Sequence, residues 1–154
     1  MGGENERDPG YLPTYTDIES LRRWPDLLRA GEEVVITEKI HGANARYVFR
    51  DERLWVGSHH NVKRLNPDIV WWKVALQLDL EKRLRACAGF VFYGEVFGNV
   101  QDLKYDVNGF ALRVFDVLDG QTRKYLDYDA AQALIAQAGL ESVPLLYRGA
   151  WRDD

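Results

Sequence analysis

A single cysteine, Cys87, occurs in 154 residues, so no internal disulfide can form and no zinc site of clustered thiols is available. A reducing, cytoplasmic setting is the expectation. No apolar run approaches the roughly 20 residues that cross a bilayer. The opening MGGENERDPG also lacks the apolar segment that follows a basic start in a signal peptide. Residues 1–14 read as a loose leader, and residues 15–154 as one domain long enough for a real core. An excess of positive charge is missing too. Lys and Arg number 20 against 24 Asp and Glu, for a net charge of −4, which argues against binding nucleic acid through bulk electrostatics. The balance is uneven, however: residues 34–64 carry 6 basic and 3 acidic groups, whereas residues 1–33 carry 4 and 8.

Apolar spacing and turn residues set out the elements. YTDIESLRRWPDLLRAG has helical spacing interrupted by Pro25 and predicts two short helical pieces. VVITEKI is β-branched and predicts a strand, and RYVFRDERLWVGS predicts a hairpin turning at Asp51 and Glu52. Asn66 and Pro67 start a helix that the period carries to Gly89. FVFYGEVFG and FALRVFDVLDG return to strand character, and Asp129 is placed as the cap of a helix that Gly139 ends. Strands and helices mix without regular βαβ alternation, so the expected class is α+β with largely antiparallel sheets.

Three clusters could carry chemistry. In Thr37-Glu38-Lys39-Ile40-His41-Gly42-Ala43-Asn44, an acid, an amine, an imidazole, a glycine and an amide surround one turn. A lysine is nucleophilic only when unprotonated, a state that burial or nearby cations favour, and Gly42 would let backbone N–H groups approach phosphates. A surface lysine ahead of a glycine turn is the plainer alternative. In Phe92-Tyr93-Gly94-Glu95-Val96-Phe97-Gly98, a carboxylate in an apolar strand needs a donor partner. Either a ribose hydroxyl or a buried arginine such as Arg113 would serve. In Arg113-Val114-Phe115-Asp116-Val117, strict alternation puts Arg113, Phe115 and Val117 on one face and Val114 and Asp116 on the other. Phe115 is then a purine-stacking ring or ordinary core.

In this order, TEKIHGAN, FYGEVFG and RVFDV resemble successive motifs of the covalent nucleotidyltransferases, and most closely those of the RNA ligase 2 type of ATP-dependent RNA ligase. YTDIESL and VQDLKY resemble stretches of such ligases too. The resemblance implies an ATP-grasp-like nucleotidyltransferase domain in which Lys39 forms a covalent lysyl-AMP from ATP, with Mg2+ or Mn2+ assisting. The AMP would pass to an RNA 5′-phosphate, and a 3′-hydroxyl would then seal the strand. It places Glu38 near the adenine edge, Asn44 at the phosphates or the accepting strand, Glu95 on the ribose and Phe115 against the base, with Ile40 and Gly42 also in the nucleotide site. The metal ligands and the role of Asp116 stay unassigned.

Two departures qualify the likeness. Where such ligases have an arginine about twenty residues past the lysine, this chain has His59, so Arg64 or Lys63 is expected to supply the charge. Such ligases also continue into two further motif strands, one acidic and one carrying paired lysines, which are not found before Asp154. The expectation is a domain represented by its front portion, by natural truncation, split gene or excision, that would be weak or inactive alone. A catalytically inactive nucleotide- or RNA-binding remnant and a subunit completed by a partner chain are the alternatives.

Overall fold

The computed structural model describes residues 3–98 and 109–152. VQDLKY therefore lies outside the described residues. The chain runs β1 (Asn5–Glu6), β2 (Glu33–Thr37), β3 (Ala43–Arg50), β4 (Arg53–Gly57), β5 (Val62–Lys63), α1 (Val70–Gln77), α2 (Leu80–Arg85), β6 (Phe90–Gly98), β7 (Phe110–Asp119), β8 (Lys124–Tyr125), α3 (Tyr128–Gln137) and β9 (Leu145–Ala150). Seven strands form one sheet in the order β1-β5-β4-β3-β6-β7-β8, and β2 pairs with β9 in a second. Among the described residues these strands all pair antiparallel, and one isolated parallel bridge joins Val114 to Ser142, so the α+β expectation holds. Among the described residues no helix is long and apolar enough to cross a membrane.

Alternation along the central strands assigns the two faces of the large sheet. Ala45, Tyr47 and Phe49 of β3 and Phe92 and Val96 of β6 join Trp72, Leu80, Leu84 and Ile135 of the helices in one core. Val48, Val91 and Tyr93 point the other way, onto Leu12 and Leu118. The helices thus cover one face and the N-terminal segment covers part of the opposite one.

That segment corrects the reading of a loose leader. Asn5 and Glu6 pair with Lys63 and Val62, and Leu12 is buried. The Tyr93 hydroxyl donates to the Pro13 carbonyl at 2.7 Å. Two apolar anchors, Tyr11 and Leu12, outweigh the polar composition around them. The two helical pieces expected in residues 15–31 are absent. Only turns form there, with Arg23 and Trp24 donating to the Ser20 carbonyl. Ile18, Leu21, Trp24 and Leu27 remain exposed, so no packing compensates the cost of a short helix.

The long helix is broken as well. α1 begins after Ile69, not at Asn66, whose side chain instead accepts from the Asp68 amide at 3.0 Å. Asp79 takes a positive φ of 51° between α1 and α2, and Arg83 donates to the Leu78 carbonyl at 2.7 Å, closing the gap. The cap of α3 is Asp127, which accepts from the Ala130 amide at 2.8 Å, whereas Asp129 pairs with Arg148 at 2.6 Å. The hairpin turn at Asp51 and Glu52 is as expected, both residues having positive φ.

The register of β6 on β7 shifts between Tyr93 and Gly94: Tyr93 faces Asp116 and Gly94 faces Val114, leaving Phe115 as the extra residue. A Cβ on Gly94 would stand 2.6 Å from the Arg113 carbonyl oxygen and 2.8 Å from Leu112 Cδ1. Gly94→Ala is therefore expected to cost about 1–3 kcal/mol through overpacking. At this chain length that lowers the melting temperature by roughly 2–4 °C for each kcal/mol. An unchanged thermal melt would show that the bulge does not depend on the glycine.

Candidate functional site

On the sheet face away from the helices, a cavity of about 700 Å³ opens between the two sheets. Lys39, Glu38 and Ile40 reach it from the loop after β2, Asn44 from β3, Glu95 from β6, Phe115 from β7 and His59 from the turn after β4. Three clusters far apart in sequence thus converge on one space. Tyr15 to Ser20 form another wall, completed by Thr37 and Val143.

The loop geometry follows from close packing. Ile40 is buried with Phe97, Ala111 and Val143, which anchors the residue after Lys39 while Lys39 itself stays exposed. Gly42 lies directly on β6. A Cβ there would collide with the Val96 carbonyl oxygen and come within 3.2 Å of Glu95 Cγ. The glycine is thus required for contact between the loop and the strand, and its φ is not in the left-handed region.

Asn44 and Glu95 are direct cross-strand partners and both line the cavity. The Asn44 Oδ1 atom is buried without a hydrogen-bond donor, a costly state unless a ligand supplies one. Burial raises the pKa of Glu95 above the ordinary carboxylate value, and the Gly42 backbone hydrogen bond and the Lys39 and His41 charges pull it partly back. Arg113, the other partner considered for Glu95, is its cross-strand neighbour in β7 but pairs with Glu141 at 3.0 Å.

The bulge corrects the face assignment in β7. Val114 and Val117 both enter the helix-side core, whereas Phe115 and Asp116 both face the cavity side. Strict alternation fails because the extra residue shifts the count by one. The Tyr15 hydroxyl donates to Asp116 Oδ2 at 2.7 Å, and Asp116 Oδ1 accepts from the Val117 amide at 2.9 Å. Burial raises the Asp116 pKa, opposed by these two hydrogen bonds. The Tyr15 ring meets Phe115 edge-on at 5.0 Å between centroids. The Thr16 amide donates to the Tyr125 hydroxyl at 3.0 Å, so the start of the N-terminal wall is tied to β7 and β8. The motif residues were visible in the sequence. This wall was signalled only by YTDIES and needs the fold to bring it round.

Two expected cations are elsewhere. Arg64 borders a separate hollow with Glu6, Arg53 and Trp72, and Lys63 is buried, 3.8 Å from Glu4 and over the Trp71 ring. Residues 62 and 63 form β5, which carries them away from the turn holding His59. Among the described residues no three His, Cys, Asp or Glu side chains gather to hold a metal ion.

A family model described as RNA ligase matches residues 32–153. No curated protein sequence matches the chain. Solved structures of the Naegleria gruberi RNA ligase share the fold. A variant with AMP and Mn aligns at a TM-score of 0.84 and 19% identity, covering 98% of this chain and 48% of that one. Another variant with ATP and Mn gives 0.82 and 21%, covering 99% and 48%. The form with pyrophosphate gives 0.78 and 19%, covering 96% and 48%. The chain thus spans about half the length of these proteins.

Glu95 provides a test of the site's electrostatics. A carboxyl whose folded-state pKa is raised stabilises the fold below its unfolded value, and that contribution is lost as pH rises through the folded value. Glu95→Gln should therefore raise the melting temperature at pH 7, and the gain should shrink as the pH falls through the raised folded value and be gone once it is below the ordinary carboxylate value of 4.5. A lower melting temperature at pH 7 would mean that the interactions with Gly42, Lys39 and His41 outweigh the burial of the charge.

Proposed function

We propose that this chain, which belongs to the RNA ligase family, uses Lys39 as the nucleophile that takes AMP from ATP. The observation that carries the reading is the convergence of Lys39, Glu95, Asn44 and Phe115 on one cavity large enough for a nucleotide. In the first step the Lys39 amine, having lost its proton to solvent, attacks the α-phosphorus of ATP. A P–N bond forms, the bond from the α-phosphorus to the bridging oxygen breaks, and pyrophosphate leaves with the electron pair. An RNA 5′-phosphate oxygen then displaces Lys39 from the AMP. Finally a 3′-hydroxyl attacks the activated 5′-phosphorus and AMP departs, sealing the strand.

Each cavity residue suits one part of such a nucleotide. Phe115 offers a ring edge-packed by Tyr15, a braced surface for an adenine. Glu95 is an acceptor for a ribose hydroxyl. Asn44 has a side-chain oxygen that lacks a donor; turned over, the amide would present N–H groups to a phosphate. Glu38 and Ile40 flank Lys39 in the chain, and His59 is an exposed residue of the cavity wall. Magnesium or manganese accompanies ATP in the proposal and offsets phosphate charge, with ligands drawn chiefly from phosphate oxygens and water. The described residues form no metal cage of their own. A cytoplasmic setting goes with the reading, since the single cysteine is free and buried.

Incubation with α-labelled ATP and magnesium or manganese tests the nucleophile directly. The expected result is a covalent label on the protein that withstands alkali and is released by acid, as a P–N bond is, and that Lys39→Ala reduces at least about a hundredfold. Because Lys39 is exposed, the thermal melt should change by less than about 0.5 kcal/mol equivalent. Labelling of the variant at the wild-type level would remove Lys39 from this role. ATP binding with no label on either protein would leave a nucleotide-binding chain without the chemistry.

A further inference from the structure

The side chains lining the cavity include the carboxylates Asp17, Glu19, Glu38 and Glu95 and a single lysine, Lys39. A polyphosphate entering this space meets acidic walls. Yet a positive charge is buried beneath the turn that carries His59 into the cavity. Arg46 is 1% exposed and sits on β3 two residues after Asn44, hence on the same sheet face as the cavity. Its Nε donates to the Ser58 carbonyl at 2.6 Å and one terminal nitrogen to the Asn61 carbonyl at 3.2 Å. The other terminal nitrogen donates to the Leu12 carbonyl.

All three acceptors are neutral. Among the described residues no carboxylate reaches ion-pair distance of Arg46, and Asp8 acts on it only through space while burial works against its charge. The guanidinium is also built in. A Cβ on Gly57 would come 2.9 Å from Arg46 Nε, so the strand opposite keeps a glycine where the arginine passes. Two of the acceptors, Ser58 and Asn61, bracket the turn that carries His59 into the cavity. The Leu12 carbonyl precedes the segment that becomes the wall at Tyr15 to Ser20. A buried cation without a counter-ion is stabilised when an anion arrives within its low-dielectric reach.

We propose that Arg46, acting from behind the turn at His59, supplies the positive field that holds the phosphate chain and so sets a preference for a nucleoside triphosphate over a nucleoside. This rests on the nucleotide reading of the cavity, but not on covalent chemistry at Lys39. Arg46 is a positioning and field-setting residue that does not touch the phosphates.

The test measures equilibrium binding of ATP and of adenosine to the whole chain carrying Lys39→Ala, in EDTA, so that no transfer occurs and no cation masks the phosphates. Arg46→Gln should weaken ATP binding about tenfold and leave adenosine within about twofold. Arg46→Lys, which keeps the charge, should preserve the ratio of the two affinities. Adding His59→Arg to Arg46→Gln should restore ATP binding by returning a cation to the cavity wall. Equal losses for ATP and adenosine in Arg46→Gln would reduce Arg46 to a scaffold for the turn and overturn the proposal, as would an unchanged ATP affinity. If Arg46→Gln does not fold, Arg46→Lys decides, a shifted ratio counting against the field. A parent protein that binds neither ligand would instead defeat the nucleotide reading, and this inference with it.

Discussion

The extra residue in β7 is the constraint on which the cavity depends. Without the shift at Tyr93 and Gly94, a strand that buries Val114 against the helices would turn Phe115 toward the cavity and Asp116 back into that apolar core. With it, Val114 and Val117 both reach the helix-side core, and the two residues between them share the opposite face. A carboxylate facing apolar side chains would be neutralised or would cost several kcal/mol. On the cavity side it finds the Tyr15 hydroxyl at 2.7 Å. The bulge therefore brings the anchor for the N-terminal wall onto the face that holds the aromatic ring, and Gly94 leaves room for the close approach of β7.

How much of this could be read from residues alone depended on whether the signal was local. The hairpin at Asp51 and Glu52 and the strand character of β6 and β7 follow from turn chemistry and composition, and the structure has them, with β6 and β7 paired. The grouping of Lys39, Glu95 and Phe115 was legible through motif order. Nothing local marks the bulge, because RVFDV alternates acceptably in isolation and the slip arises from Gly94 on the neighbouring strand. Long-range packing likewise decided the N-terminal segment. Its polar composition suggests a loose leader, yet Tyr11 and Leu12 dock on β4 and β6 side chains, whereas the more apolar stretch from Ile18 to Leu27 finds no surface to cover. Arg64 and Lys63 failed as phosphate partners for a similar reason: proximity in sequence to His59 does not survive the turn into β5.

Side-chain to backbone bonds hold the N-terminal segment where strand pairing does not. The Leu12 and Pro13 carbonyls accept from Arg46 and Tyr93, and the Thr16 amide donates to Tyr125. An irregular segment buried on a sheet must satisfy its polar backbone in some such way. The aromatic hydroxyls suit the task because each carries a polar tip on an apolar body that also fills the core. The matched family model begins at residue 32, so the wall formed by residues 15–20 lies outside the stretch that defines the family. Lys39 and the wall that lines the same cavity are thus written in separate parts of the chain.

Lys39 extends from the end of β2, whose sheet partner is β9, whereas Glu95 and Phe115 belong to the seven-stranded sheet. The two bodies are joined near the cavity by a short splice. The Glu38 amide donates to the Pro144 carbonyl, the Val143 amide to the Val114 carbonyl, and the Val114 amide to the Glu141 carbonyl. In mechanical terms the cavity is a jaw, with the lysine on one arm, the carboxylate and the ring on the other, and residues 141–144 as its hinge pin. The separation of the two arms is held by these bonds together with Ile40, packed on Phe97, Ala111 and Val143. A change in that splice would therefore be felt at Lys39 although every side chain of the cavity wall contributed by the large sheet stays in place.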